Sequence, residues 1–446
     1  MIGLSPQKLS STARKAFANA GWVFFDRIFR MATSMIVGVW SARYLGPDQF
    51  GLLNFAIVFP SVLMPLAGLG LANVLVTEIV RESDPENRLM GTAFWLRLAA
   101  GVASLLLITA VTEIFYRDQP LLQSMILFTS SVLISQSVDV VGLYFQSRVK
   151  ARTSVIARSL GFGIATALRV YFLANQFDLL AFAFIVFFEN AVSALILIVF
   201  YNREQGRHML QWQFDRRVAA RLMQLAWPLM ISEFFIFIYM RADQYMLKEL
   251  ASDAELGKFS AALRLSEVWY FIATAITSSF YPSIVALKTR NEEAFRQAFR
   301  RLLALLTFIS IAIAVVISFT APFLTNLLFG QKYAGVDQIL IIHIWSAVFV
   351  FTGVGSSYWF VLYDKQRVLL MKTVAGVIVN VLLNFLLIPT YGASGASIAT
   401  LFGQMTSSYL MNYAIGLARP VFRIQTAAFG DALRLSFLRD FIRRPG

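Results

Sequence analysis

Asp26, Arg27 and Arg30 fall within five consecutive positions of a stretch that is otherwise mostly apolar. Asp26 and Arg30 are four apart, on one face of a helix, and can pair. Arg27 and Arg30 are three apart and can share a broad cationic face. At 1.5 Å per residue they lie roughly 10–15 Å from the nearer polar end of that stretch, too deep for easy escape to water. Guanidiniums at such depth suit the phosphate or carboxylate of an anionic ligand, and the carboxylate beside them can balance the charge or hold a coupling ion. Glu189 and Glu233 each sit in the middle of another apolar segment. Arg264 and Glu267, three apart, either neutralise each other or free Arg264 for a ligand. Arg158 and Arg169 fall on one helical face about 16 Å apart. That face could track a phosphate or a charged sugar, although both lie close to segment ends, where snorkelling gives the same pattern. Asp139, beside Ser135, Gln136 and Ser137, makes a polar face, and Asn380 and Asn384 make another. Such faces line water or hold helices together. Arg97 and Lys372 read as snorkelling side chains, and His343 as a packing histidine. These segments hold seven cations (Arg27, Arg30, Arg97, Arg158, Arg169, Arg264 and Lys372) against the five carboxylates Asp26, Asp139, Glu189, Glu233 and Glu267. That excess favours an anionic cargo over a cationic one.

Membrane spans must position these groups. Of 446 residues, 58% are hydrophobic and 14% charged. A soluble domain is roughly 45–50% apolar and about 25% charged. The apolar content excludes disorder. Zero Cys excludes disulfides and thiolate chemistry, and two His leave little for a soft metal. Twelve stretches reach the roughly 20 apolar residues that one crossing needs. They run over about 20–42, 50–70, 92–112, 121–145, 154–174, 179–200, 222–241, 259–283, 302–321, 337–362, 367–388 and 393–418. The expected fold is all-α, with 12 transmembrane helices in two six-helix lobes. Its parts are an N-terminus (1–19), an N-terminal lobe (20–201), a linker (202–221), a C-terminal lobe (222–418) and an amphipathic tail (419–446).

The net charge of +14 would suggest nucleic acid in a soluble protein. Here it is a matter of topology, and no nucleic-acid partner is expected. With twelve spans, and with the boundary residues Arg241 and Arg367 counted in the loops, 26 of the 39 Lys and Arg fall on the side of both termini and six on the other. Both termini should therefore be cytoplasmic. In the tail, Phe429, Leu433, Phe437 and Phe441 recur every four residues among Arg434, Arg439, Arg443 and Arg444. This pattern predicts a helix on the inner leaflet.

The halves repeat. Trp22, Leu45 and Asp48 recur as Trp227, Leu250 and Asp253 at an offset of 205, and Gly51 as Gly257 at 206. Lys150, Arg152 and Gly161 recur as Lys365, Arg367 and Gly376 at 215. A duplication of six spans in one orientation is typical of transporters. Nucleotide chemistry is unsupported, since the chain contains no phosphate-loop sequence GxxxxGK[ST]. The expectation is a transporter and not an enzyme.

Tyr44-Leu45-Gly46-Pro47 followed by Phe50-Gly51-Leu52 resembles the bacterial polysaccharide transporter family, the Wzx-type flippases. Tyr391-Gly392-Ala393-Ser394-Gly395 through Thr400 is similar to their C-terminal pattern, and Glu255-Leu256-Gly257 with Ala262-Leu263-Arg264-Leu265 to their segment joining spans seven and eight. The resemblance implies the multidrug/oligosaccharidyl-lipid/polysaccharide exporter fold, with a V-shaped central cavity. It implies a flippase for undecaprenyl-pyrophosphate-linked oligosaccharides of O-antigen, capsule or exopolysaccharide. It also implies alternating access in the bacterial inner membrane, driven by H+, Na+ or the membrane potential, with no other cofactor. A polysaccharide polymerase and a chain-length regulator are the implied partners, besides membrane lipid. By depth and residue type, Arg27, Arg30 and Arg264, then Arg158 and Arg169, would meet the pyrophosphate or sugar acids. Asp26, Glu189, Glu233, Glu267 and Asp139 would pair with them or bind the coupling ion. The alternative is a cation-coupled multidrug exporter of the same fold.

Overall fold

The computed structural model describes the backbone of residues 6–205, 209–288 and 291–434. Side chains are described from residue 27 onward within these ranges, except at 205, 210, 239 and 282. Among the described residues the chain is helical, with no strand. The elements are α1 (Pro6–Ser61), α2 (Met64–Gly68), α3 (Leu71–Arg81), α4 (Glu86–Phe115), α5 (Pro120–Thr129), α6 (Ser131–Ser135), α7 (Asp139–Ser147), α8 (Ala151–Ala174) and α9 (Leu179–Gln205). Then follow α10 (Arg216–Leu250), α11 (Asp253–Glu267), α12 (Tyr270–Lys288), α13 (Glu292–Phe329), α14 (Val336–Ile344), α15 (Ser346–Leu362), α16 (Gln366–Met405), α17 (Met411–Ala414) and α18 (Arg419–Leu433).

Nine helical stretches among the described residues are long and apolar enough to cross a membrane. The difference from twelve has a structural origin. Arg27–Arg81, with 55 residues, runs through the first two expected spans, and Gln366–Ala414, with 49, runs through the last two. The expected eighth span is divided between α11 and α12. Both long stretches are broken inside by a glycine outside helical geometry: Gly46 at φ 73° and Gly392 at φ 53°. Pro47 follows Gly46, and its fixed φ and missing N–H suit the first position of a new helix.

The chain forms two compact units. One comprises Met1–Tyr44 and Leu52–Arg241, the other Leu45–Gly51 and Ala242–Gly446. The first packs around Leu71, Leu75, Met90, Phe145 and Leu222, the second around Phe295, Leu303, Phe351 and Phe360.

Each unit contains one copy of the same turn. Val149 has φ 58° and Asp364 φ 55°, at the offset of 215. The next residues, Lys150 and Lys365, donate their N–H groups to Phe145 O and Phe360 O at 2.8 and 2.7 Å, again 215 apart. The repeat read from side chains is therefore also a repeat of backbone geometry.

The family-like motifs meet within the second unit. A Cβ on Gly51 would lie 1.8 Å from Asp253 O, and one on Gly257 would lie 1.9 Å from Pro47 O. Only hydrogen fits at either position. Glu255 accepts a 2.9 Å hydrogen bond from the Ala393 N–H, just past the Gly392 break. A carboxylate there satisfies an orphan donor where the second half of α16 begins. In α18, Val421, Ala428 and Ala432 are buried within this unit, and Arg300 of α13 holds Asp431 through two bonds of 2.5 and 2.7 Å. Of the expected tail anchor, Phe437, Arg439, Phe441, Arg443 and Arg444 lie outside the described residues.

Candidate functional site: a charged cavity and a buried oxygen cluster

The first unit holds a partly open cavity of about 190 Å³ among α1, α2, α6, α7, α8 and α9. Arg30, Asp139, Arg158 and Glu189 line it, joined by Ser135, Gln136, Asn190 and Ser193. The helix breaks explain this polar wall. The stretch from Pro120 to Ser147 is cut into α5, α6 and α7 around Ser130 and Gln136–Val138, so polar groups turn inward where the ladder is interrupted. Arg158 pairs with Asp139 at 2.9 Å. The Arg30 guanidinium lies 5.0 Å over the Phe162 ring, a desolvated cation–π arrangement. Glu189 feels the charges of Arg169 and Arg30. Counting Arg169, three cations face two carboxylates.

Four sequence-predicted residues thus share one cavity, and Arg169 acts on it through Glu189. Arg27, Glu233, Arg264 and Glu267 do not join them. Arg27 is exposed, and the side chain of Asp26 lies outside the described residues. Glu233 is half-buried and acts on Arg97 instead. Arg264 and Glu267 belong to the second unit, where Arg264 lies 5.1 Å over the Phe50 ring.

Two snorkelling expectations are overturned. Arg97 is 3% exposed and donates to Gly68 O at 3.1 Å and Gln136 O at 3.2 Å. Both carbonyls lie at the C-terminal ends of short helices, α2 and α6, which lack helical partners and carry partial negative charge. Arg97 therefore bonds two broken helices internally. Lys372 is also buried, with Nζ 4.4 Å over the Phe360 ring. His343 is buried against Ser266 Oγ at 2.8 Å, as a packing histidine should be.

The sequence reading missed a second cluster. Asp243 of α10 is buried, and Asn384 Nδ2 and Thr400 Oγ1 of α16 both donate to its carboxylate. Asn380 contributes a further hydrogen bond. Asn384 Oδ1 is buried with no hydrogen-bond partner. Among the described residues, no cationic side chain pairs with Asp243. The cluster offers oxygen donors around one negative charge, which suits a hard cation. No group of three or more His, Cys, Asp or Glu able to hold a metal occurs among the described residues. Half of the signal was available, since Asn380 and Asn384 share a helical face.

Residues 41–338 match the profile of a family described as polysaccharide biosynthesis protein. The chain belongs to that family. The matched region contains two of the three motifs that resembled the Wzx-type transporters, and that resemblance stands. Over 401 residues, 87% of this chain and 96% of the other, the family member is 20% identical to a capsular polysaccharide biosynthesis protein, CapF, of Staphylococcus aureus. In fold it is similar to the lipid II flippase MurJ in an inward closed conformation, with a TM-score of 0.73, 12% identity and 96% and 94% of the two chains covered. It is also similar to an inward-facing multidrug resistance MATE family transporter, with a TM-score of 0.68, 16% identity and 90% and 95% covered. The polysaccharide family member is a multi-pass membrane protein of the transporter fold.

Proposed function

We propose that this protein is a flippase that carries undecaprenyl-pyrophosphate-linked oligosaccharide repeat units from the cytoplasmic to the outer leaflet of a bacterial inner membrane. The observation that carries the reading is the cavity in which Arg30, Arg158 and their carboxylate partners face one another inside an apolar helical unit. Ionisable groups at membrane depth mark a substrate path. Guanidiniums suit pyrophosphate through charge-assisted, bidentate hydrogen bonds. The family match and the similarity to CapF support a polysaccharide-linked cargo. In this reading Arg30 and Arg158 contact the headgroup, with Arg169 adding charge, and Asp139 and Glu189 hold the guanidiniums in place between cycles. Arg27, Arg264, Glu233 and Glu267 take no direct part in this cavity.

Transport proceeds by alternating access across twelve spans, with both termini cytoplasmic. The driving ion binds at Asp243, and its chemistry is that of Na+: one carboxylate and neutral oxygens balance one monovalent charge. A polymerase and a chain-length regulator would take over the flipped repeat unit.

The test is lipid analysis of cells depleted of the protein. Undecaprenyl-pyrophosphate-linked repeat units should accumulate on the cytoplasmic side while surface polysaccharide falls. Arg30→Ala should reproduce this with normal insertion and abundance. Unchanged lipid pools with new sensitivity to cationic dyes would instead identify a multidrug exporter, the reading that the MATE-like fold alone would permit.

A further inference from the structure

The charged cavity does not end at its polar wall. A second cavity of about 440 Å³ adjoins it in the first unit, and the two share Ser135, Val138, Asn190 and Ala194 as lining residues. The character changes across that shared wall. The second cavity is lined mainly by apolar groups of α4, α5 and α9, among them Leu105, Leu127, Phe128, Phe187 and Ala191. Leu127 is 53% exposed and Phe187 40% exposed, so the groove opens on an exposed face of helices long and apolar enough to cross a membrane. Its volume falls within the range of about 300–1,000 Å³ usual for ligand sites. Phe128 packs edge-on against Phe184 at 5.6 Å, which gives the groove a stiff aromatic floor.

A charged pocket that continues into an apolar, laterally open groove fits one kind of ligand, an amphiphile entering sideways with its headgroup first. Building on the flippase reading above, we propose that this groove holds the first part of the polyprenyl chain of the lipid-linked cargo while its pyrophosphate occupies the Arg30–Arg158 cavity. The continuity of the two lining sets argues for that occupant. A chain attached to a headgroup in the first cavity has only the shared residues Ser135, Val138, Asn190 and Ala194 between it and the second. An ordinary phospholipid could also bring a phosphate and an acyl chain, but its single phosphodiester charge matches the Arg30 and Arg158 cations less well than the two charges of a pyrophosphate diester. The division of labour follows: the cavity selects the anion, and the groove selects a long hydrocarbon over a water-soluble phosphate.

The experiment measures binding to the full-length protein in nanodiscs with three probes: inorganic pyrophosphate, farnesyl pyrophosphate and undecaprenyl pyrophosphate. Affinity should rise at least tenfold from inorganic pyrophosphate to the prenylated probes. A benzophenone placed on the proximal isoprenes should crosslink to α5 or α9. Ala191→Phe fills the groove from an exposed position without touching the charged cavity, and it should erase the chain-dependent gain while leaving inorganic pyrophosphate binding unchanged. Arg30→Ala should weaken all three probes. If pyrophosphate binds but the chain adds no affinity, or if crosslinks map outside α4, α5 and α9, the groove assignment falls and the flippase reading stands. Crosslinks competed equally by phosphatidylglycerol would show an ordinary acyl chain there and overturn the assignment in the same way. If no pyrophosphate probe binds at all, the headgroup reading falls, and the groove assignment with it.

Discussion

Asp243→Asn separates an ion-binding cluster from a structural polar knot. The carboxylate is buried, bonded by Asn384 and Thr400, and meets no cationic side chain among the described residues. An uncompensated buried charge costs several kcal/mol even after relaxation. A monovalent cation at 100 times its dissociation constant would return about 2.7 kcal/mol. For a unit of this size, about 1 kcal/mol shifts the melting temperature by roughly 2–4 °C, so saturation should raise it by about 5–10 °C. The assay is thermal unfolding of the purified protein across a NaCl series, with choline chloride holding ionic strength constant. The wild type should rise with Na+, and Asp243→Asn should be flat. Without Na+ the variant should melt at or above the wild type, because the buried charge is gone. Thr400→Val, which keeps volume and removes one oxygen, should shift the sodium midpoint upward. A wild-type melting temperature indifferent to Na+, or an Asp243→Asn variant that keeps the full rise, refutes the reasoning. A rise with acid and not with sodium would make the coupling ion a proton.

Three further outcomes follow from the geometry. Arg97→Met removes the donor to Gly68 O and Gln136 O, and each orphaned buried acceptor costs about 1–3 kcal/mol; melting should fall well beyond that of an exposed Arg→Met control, and equal melting would return Arg97 to a surface role. Gly257→Ala places a methyl 1.9 Å from Pro47 O, where only backbone movement relieves the clash, and should cost about 1–3 kcal/mol or more, read by unfolding in detergent. Asp215 caps α10 by accepting from the Arg217 and Val218 N–H groups at 2.8 and 3.3 Å, and these bonds hold its carboxyl below the ordinary range. Its stabilisation is present at neutral pH and fades as pH falls through the lowered native value, so Asp215→Ala should melt lower at pH 7 and the gap to wild type should close in acid; a gap that widens in acid contradicts the capping role.

Much of the fold was legible because membrane spans write themselves in composition. The apolar runs gave the helices, and the offset of 215 read from side chains recurs in the paired turns at Val149 and Asp364. The site was legible only in part. Arg30, Asp139, Arg158 and Glu189 could be named because charges in apolar runs are conspicuous, and their gathering depends on breaks at Ser130 and Gln136–Val138 that periodicity does not show. Arg97 was misread for the same reason. Its depth in α4 looked compatible with snorkelling until the carbonyl ends of α2 and α6 turned toward it. Asp243 was passed over because it follows the last apolar turn of a span. Its partners lie more than 130 residues away, where no local pattern connects them.

The residues that mark the family and those that line the charged cavity are different sets, and the structure gives the reason. Gly51, Gly257, Glu255 and Gly392 belong to the motifs, and each is used in backbone approach or helix capping within the second unit. Substituting either of the first two would meet a carbonyl at under 2 Å, so steric fit restricts them whatever is transported. Arg30, Asp139, Arg158 and Glu189 stand outside those motifs, in a partly open cavity where Asp139 and Arg158 pair across helices and no backbone approach fixes the residue type. A protein built this way can keep one architecture while its cavity is re-lined for another acidic or neutral sugar. Exchanging Asp139 and Arg158 for each other keeps the pair while moving the positive charge from α8 to α7. It should therefore alter cargo choice more than stability, whereas any change at Gly257 should do the reverse.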